Sequence, residues 1–237
     1  MSFVGSNILA GASGQGGAGG YEIERSLRFN AADTAYLERN LTSVGDQRVM
    51  TFSFWVKKNN PSSSGELAIV AMDYNTSGSA VTNRSLSMYF GANTLKLYDY
   101  GASDQAGDQG SSVPWYPGSV ENGRLFRDPS AWYHVVFAID TTQSTAANRC
   151  KVWINGEQGT HSSQPTQNTY LSWGQVRKHY IGIQKVNGSF TRKADLQLAD
   201  FQFIEGQALA ATDFGETDDN GVWQPKEFDG TYSAAAS

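Results

Sequence analysis

The sequence predicts an all-β fold: two antiparallel sheets packed as a jelly-roll sandwich, preceded by an extended glycine-rich arm. Three observations carry this. Tyr133, Val135, Phe137 and Ile139 share one parity and Cys150, Val152 and Ile154 another, so each run can bury one face of a strand. Asn155-Gly156 closes the second run and has the ready access to positive φ that a tight hairpin turn requires. No stretch repeats apolar residues at i, i+3, i+4 and i+7 over helical length, and charged residues make up only 17% of the 237-residue chain.

In chain order, residues 5–20 hold seven glycines and no charge, the composition of an arm. Ordering it costs about 1–2 kcal/mol per residue, so an ordered arm needs another chain to lie against, with Phe3, Val4, Ile8 and Leu9 as its apolar anchors. The expected organisation is a docking arm over 1–20, a sandwich over 21–209 and a C-terminal extension over 210–237. Strands are expected near 24–30, 35–39, 50–58, 67–74, 84–90, 94–100, 132–140, 149–155, 168–173, 178–184 and 195–204. In the last of these, Leu196 and Leu198 differ in parity from Phe201 and Phe203, which predicts a bulge near Ala199-Asp200. A helical turn is expected near Ala210–Phe214, and 101–131 reads as one long irregular loop.

Taken together, Ser26-Leu-Arg-Phe-Asn30, Met50-Thr-Phe-Ser-Phe-Trp-Val-Lys57, Trp132-Tyr-His-Val-Val with Asp140, and Val152-Trp-Ile-Asn-Gly156 form an ordered set of motifs. This order resembles the concanavalin A-like lectin/glucanase superfamily, and within it the laminin-G/pentraxin-type domains of phage structural proteins. The resemblance runs from about Tyr21 to Tyr232. It implies a non-enzymatic virion structural protein: a capsid decoration protein or a tail or head appendage, assembled in the host cytoplasm. Its implied partners are other virion proteins, reached through the arm, further copies of itself, and a host-surface glycan. A stand-alone carbohydrate-binding lectin is the alternative reading and a degenerate glycoside hydrolase the third.

Composition narrows the classes further. A net charge of −5 with dispersed Lys and Arg supplies no basic stripe for a phosphate backbone, so nucleic acid is not an expected partner. The amino terminus lacks the basic and apolar regions of a secretory signal, and no run approaches a membrane span, so membrane insertion is not expected. Cys150, the single cysteine, reads as a core residue. Glycosidases of this superfamily carry Glu-x-Asp-x-x-Glu on one strand, which sets two carboxylates on one face; the motif is absent here. His134, His161 and His179 accompany no nucleophile motif. Glu216-x-Asp218-x-Asn220-Gly221 with Glu227 matches only part of a calcium loop, so no metal or cofactor is assigned.

The candidate binding residues are Trp115 and Tyr116, set between Pro114 and Pro117, with Asp104 and Asp108 nearby. Sugar faces stack on rings while carboxylates take hydroxyls, and prolines hold the rings in place. The same pair could equally meet a neighbouring subunit or cap the sandwich. Trp55, Trp132 and Trp153 stand opposite in parity to the core residues, which fits either an interaction patch or a second small core under crossing loops.

Overall fold

A computed structural model describes residues 20–60, 65–73, 85–102, 113–119, 125–161 and 163–232, with backbone alone for 100–102 and 113–119. In chain order the strands are β1 (Leu27–Phe29), β2 (Leu37–Asn40), β3 (Val49–Lys58), β4 (Glu66–Met72), β5 (Ser85–Gly91), β6 (Thr94–Ala102), β7 (Val113–Ser119) and β8 (Tyr133–Asp140). They continue with β9 (Cys150–Ile154), β10 (Glu157–Gln158), β11 (Lys178–Ile181), β12 (Gln184–Val186), β13 (Ser189–Thr191), β14 (Leu196–Glu205), β15 (Gly215–Thr217) and β16 (Trp223–Pro225). Two six-stranded antiparallel sheets result, ordered β1-β14-β3-β8-β9-β10 and β2-β11-β4-β5-β6-β7. The predicted sandwich is therefore the observed fold.

The period-two pattern decides which side chains meet between the sheets. Phe54 pairs with Val135 and Phe52 with Phe137, while Val135 pairs with Ile154 and Phe137 with Val152, so each layer presents apolar rows inward. Phe54, Val135, Phe137, Val152 and Ile154 are 0–1% exposed and meet Val70, Met88, Phe90 and Leu97 of the second sheet. Each contributes roughly 1.5–3 kcal/mol by leaving water. Cys150 lies in the same core, where burial pushes its thiol pKa far up. Asn155 and Gly156 take φ of 50° and 79°, the predicted hairpin turn.

The bulge expected at the last long strand is present. Register against β3 shifts between Ala199 and Gln202, and Asp200 takes φ 45°. The helical turn is a 3-10 turn over Ala211–Asp213.

Three expected elements are corrected. Residues 168–173 do not form a strand: Asn168 turns at φ 60°, and only Tyr170 makes an isolated bridge. Its backbone bonds go to a loop and a side chain instead, Leu171 N–H to Gln47 O at 2.8 Å and Ser172 N–H to the buried Asp99 carboxylate at 2.6 Å. Burial of Leu171 and Trp173 in the core imitates the alternation of a strand. The stretch 101–131, read as irregular, contains β7, whose prolines are tolerated because it is the edge strand of the second sheet. The strand expected over 178–184 also breaks, at Gly182, where φ is 85° and a Cβ would lie 2.3 Å from Phe29 Cδ1.

Residues beyond 210 cover part of the first sheet's outer face. Val136, Ile204, Ala211 and Phe214 form a second small core there, with Trp153, Leu209, Trp223 and Phe228 packed against it. Residues 20–26 cross the same face at its other end, where the functional geometry begins.

Candidate functional site

Between these two coverings the first sheet's outer face stays open as a cleft. Ile23, Glu24, Arg25 and Ser26 form one wall, with Trp55, Trp132 and Ala199 completing it around a small depression open to solvent. The register explains the grouping, since Trp55 on β3 faces Ala199 on β14 and His134 on β8, and small Ala199 leaves room above the strands. Trp55 is 3% exposed, whereas Trp132 is half-buried with Lys57 Nζ 5.2 Å from its ring centroid.

Beside the cleft the bulge lifts Asp200 into the path of the crossing segment. The Tyr21 hydroxyl donates to Asp200 Oδ1 at 3.3 Å, and Gln202 Nε2 donates to the same oxygen at 2.9 Å. Burial raises the Asp200 pKa, only partly opposed by those donors, and raises that of Tyr21 as well. Three buried polar atoms have no hydrogen-bond partner among the described residues here: Trp55 Nε1, Asp200 Oδ2 and Gln202 Oε1. Leaving such groups unpaired costs about 1–3 kcal/mol each, so native structures concentrate them where something else binds or bridges.

Trp55, His134 and Trp223 continue the aromatic row, with centroids 4.9 and 5.9 Å apart and planes within 23° of parallel. Ser53 Oγ lies 2.9 Å from His134 Nε2, which superficially is a nucleophile beside a base. Trp223 Nε1 decides otherwise. An indole nitrogen only donates, and it lies 3.0 Å from His134 Nδ1, so that nitrogen is the acceptor and Nε2 carries the proton. His134 therefore donates to Ser53 and cannot deprotonate it. Burial pushes its pKa down to about 3. His179 is held likewise: it receives Gly174 N–H on Nε2 and directs Nδ1 to Arg177 O, with its pKa pushed down to about 4 by burial.

The structure treats the sequence-derived candidates unevenly. Trp115 and Tyr116 lie in β7, where the backbone register sets Trp115 opposite Asp99. Asp104, Asp108 and the arm residues Phe3, Val4, Ile8 and Leu9 lie outside the described residues. Of the three off-parity tryptophans, Trp55 and Trp132 frame the cleft, while Trp153 joins the second small core. Glu24, Arg25, Asp200 and Gln202 were not among the predicted binding residues; the bulge beside two off-parity tryptophans was their signal. Asp218 Oδ1 accepts Asn220 and Val222 N–H at 2.9 and 2.8 Å, which makes the Glu216–Asn220 stretch a self-satisfied turn.

The outer face of the second sheet is also polar and aromatic. There Arg192 lies 4.4 Å from the Tyr89 centroid and donates to Tyr98 and Gln184, while Gln184 donates to Ser87. These groups satisfy one another and clamp the β12–β13 hairpin onto the sheet, so the cleft is the better candidate.

No family model matches the chain, and no curated protein matches it. Mouse laminin α1 chain domains LG4-5 are similar in structure, with TM-score 0.51 and 11% identity over 81% of this chain and 44% of that one. The LG1-3 region of the laminin α2 chain gives 0.50 and 11%, over 76% of this chain and 31% of that one. The fold is the concanavalin A-like jelly roll. A heptameric SAP-like pentraxin from Limulus polyphemus is more distant at TM-score 0.42, with 19% identity over 74% of this chain and 71% of that one. The chain thus spans less than half the length of either laminin fragment. In this jelly roll the cleft lies on the outside of the sheet that contains β1, β3 and β14.

Proposed function

We propose that this chain is a non-enzymatic, lectin-like binding domain that takes a glycan in the Trp55–Trp132 cleft. The observation that carries the reading is the cleft itself: the half-buried Trp132 indole, the buried Trp55 indole whose N–H has no partner among the described residues, and charged Glu24 and Arg25 on one wall. Apolar sugar faces stack on such rings, and hydroxyls both donate to carboxylates and accept from N–H groups. The absence of a hydrolase motif and the role of His134 as donor to Ser53 support binding without turnover. The motif order from Ser26 to Gly156 supports a finer reading, a virion surface protein with the glycine-rich arm as its attachment and a host-surface glycan as its target. A stand-alone lectin is the second reading.

A glycan array probed with the purified protein tests the common claim, with one sugar class bound and binding lost in Trp132→Ala. Light scattering with and without residues 1–20 separates the two finer readings. Arm-dependent assembly supports the virion role, and a monomer in both forms supports the stand-alone lectin.

A further inference from the structure

Asp200 and Gln202 present an unusual pairing. Both Tyr21 and Gln202 donate to Asp200 Oδ1, while Asp200 Oδ2 and Gln202 Oε1 are buried acceptors with no donor among the described residues. Gln202 is 6% exposed, and its side chain already bonds Asp200 through Nε2. An ionised carboxylate there would keep its two donors on Oδ1 but bury Oδ2 as an anionic oxygen with no donor among the described residues, while Gln202 Oε1 also goes without one. One proton removes both deficits. A carboxylic acid and a primary amide can pair twice, N–H to carbonyl and O–H to carbonyl.

We propose that Asp200 is held as a neutral acid whose Oδ2–H donates to Gln202 Oε1, and that its Oδ1 anchors Tyr21 as a pH-sensitive latch on the wall of the cleft. The surroundings fit. No hydrogen bond or ion pair joins a cation to Asp200 among the described residues. The titratable groups nearby are Tyr21 of the crossing segment and, acting on Tyr21 from the C-terminal segment, Glu227 and Tyr232. None is a cation; the Tyr21 donor opposes protonation of the acid, and burial outweighs it. Glu24 and Arg25 on the same segment line the cleft. The raised pKa of Asp200 agrees with this geometry.

The consequence is regulation of the binding reading above, on which it rests. Loss of the proton leaves a buried carboxylate that is relieved by hydration, which detaches Tyr21 and loosens the Ile23–Ser26 wall. Between the ordinary carboxyl pKa near 4 and the raised value, opening grows by up to about tenfold per pH unit.

Hydrogen exchange of residues 20–26, read by mass spectrometry from pH 4.5 to 8 and corrected for intrinsic exchange, tests the latch without any glycan. Wild type should lose protection as pH rises. Asp200→Asn, whose amide supplies the N–H in place of the acid proton, should stay protected throughout, and Tyr21→Phe should be unprotected throughout. A pH profile shared by wild type and Asp200→Asn would overturn the proposal. So would protection restored at pH 8 by calcium chloride alone, since a cation would then be the missing partner. If the glycan array shows binding while this profile is flat, the latch fails and the lectin reading stands; protection that follows pH with no glycan bound gives the reverse.

Discussion

Phe137 sits opposite Phe52 and Val152 and has no exposure, so its ring fills space that no neighbour can reoccupy. Phe137→Ala should cost about 3–5 kcal/mol, read from denaturant unfolding. His134 and His179 give the chain a pH response of known sign. Their folded pKa values, about 3 and about 4, lie below the unfolded value of 6.5, so unfolding takes up protons as pH falls. Stability should be flat above pH 6.5 and fall below it, by up to about 1.4 kcal/mol per pH unit for each ring. Thermal melts from pH 7.5 to 4.5 check this, and His134→Gln should flatten the slope. Core residues were legible because parity alone assigns them. Asp200 was legible as a bulge residue but not as the partner of Tyr21, which is 179 positions away with no local pattern to join them.

Among elements, the hairpin at Asn155-Gly156 shows how much a turn can carry. A Cβ on Gly156 would lie 2.4 Å from Trp223 Cε3, at a φ of 79° that L-residues resist. Gly156→Ala should therefore lose more than the roughly 1–2 kcal/mol of left-handed backbone strain, because Trp223 must also leave His134. Circular dichroism melting checks it, together with a change in tryptophan fluorescence. Long strands announced themselves by alternation and turn residues. The segment 168–173 misled because Leu171 and Trp173 are buried in the core from an irregular segment, and burial without a ladder leaves the same imprint on sequence. In β7 the reverse happened: Pro114 and Pro117 argue against a strand in a sheet's interior, yet an edge accepts them.

For the whole molecule, the two coverings of the first sheet divide its outer face into a closed core and an open cleft. Deleting residues 2–20 should leave the sandwich and its melting unchanged, because the core lies within 29–198, while abolishing self-association or incorporation into particles. Unchanged stoichiometry by light scattering would move attention to β7 and its flanking segments. The central claim is that the cleft binds a glycan, and isothermal titration of the sugar class selected on an array measures it most directly. Wild type should bind with a saturable heat, and Trp132→Ala, which removes the half-buried wall while leaving the sandwich core intact, should weaken binding at least tenfold with no change in melting. Equal affinity in a folded Trp132→Ala protein would contradict the account.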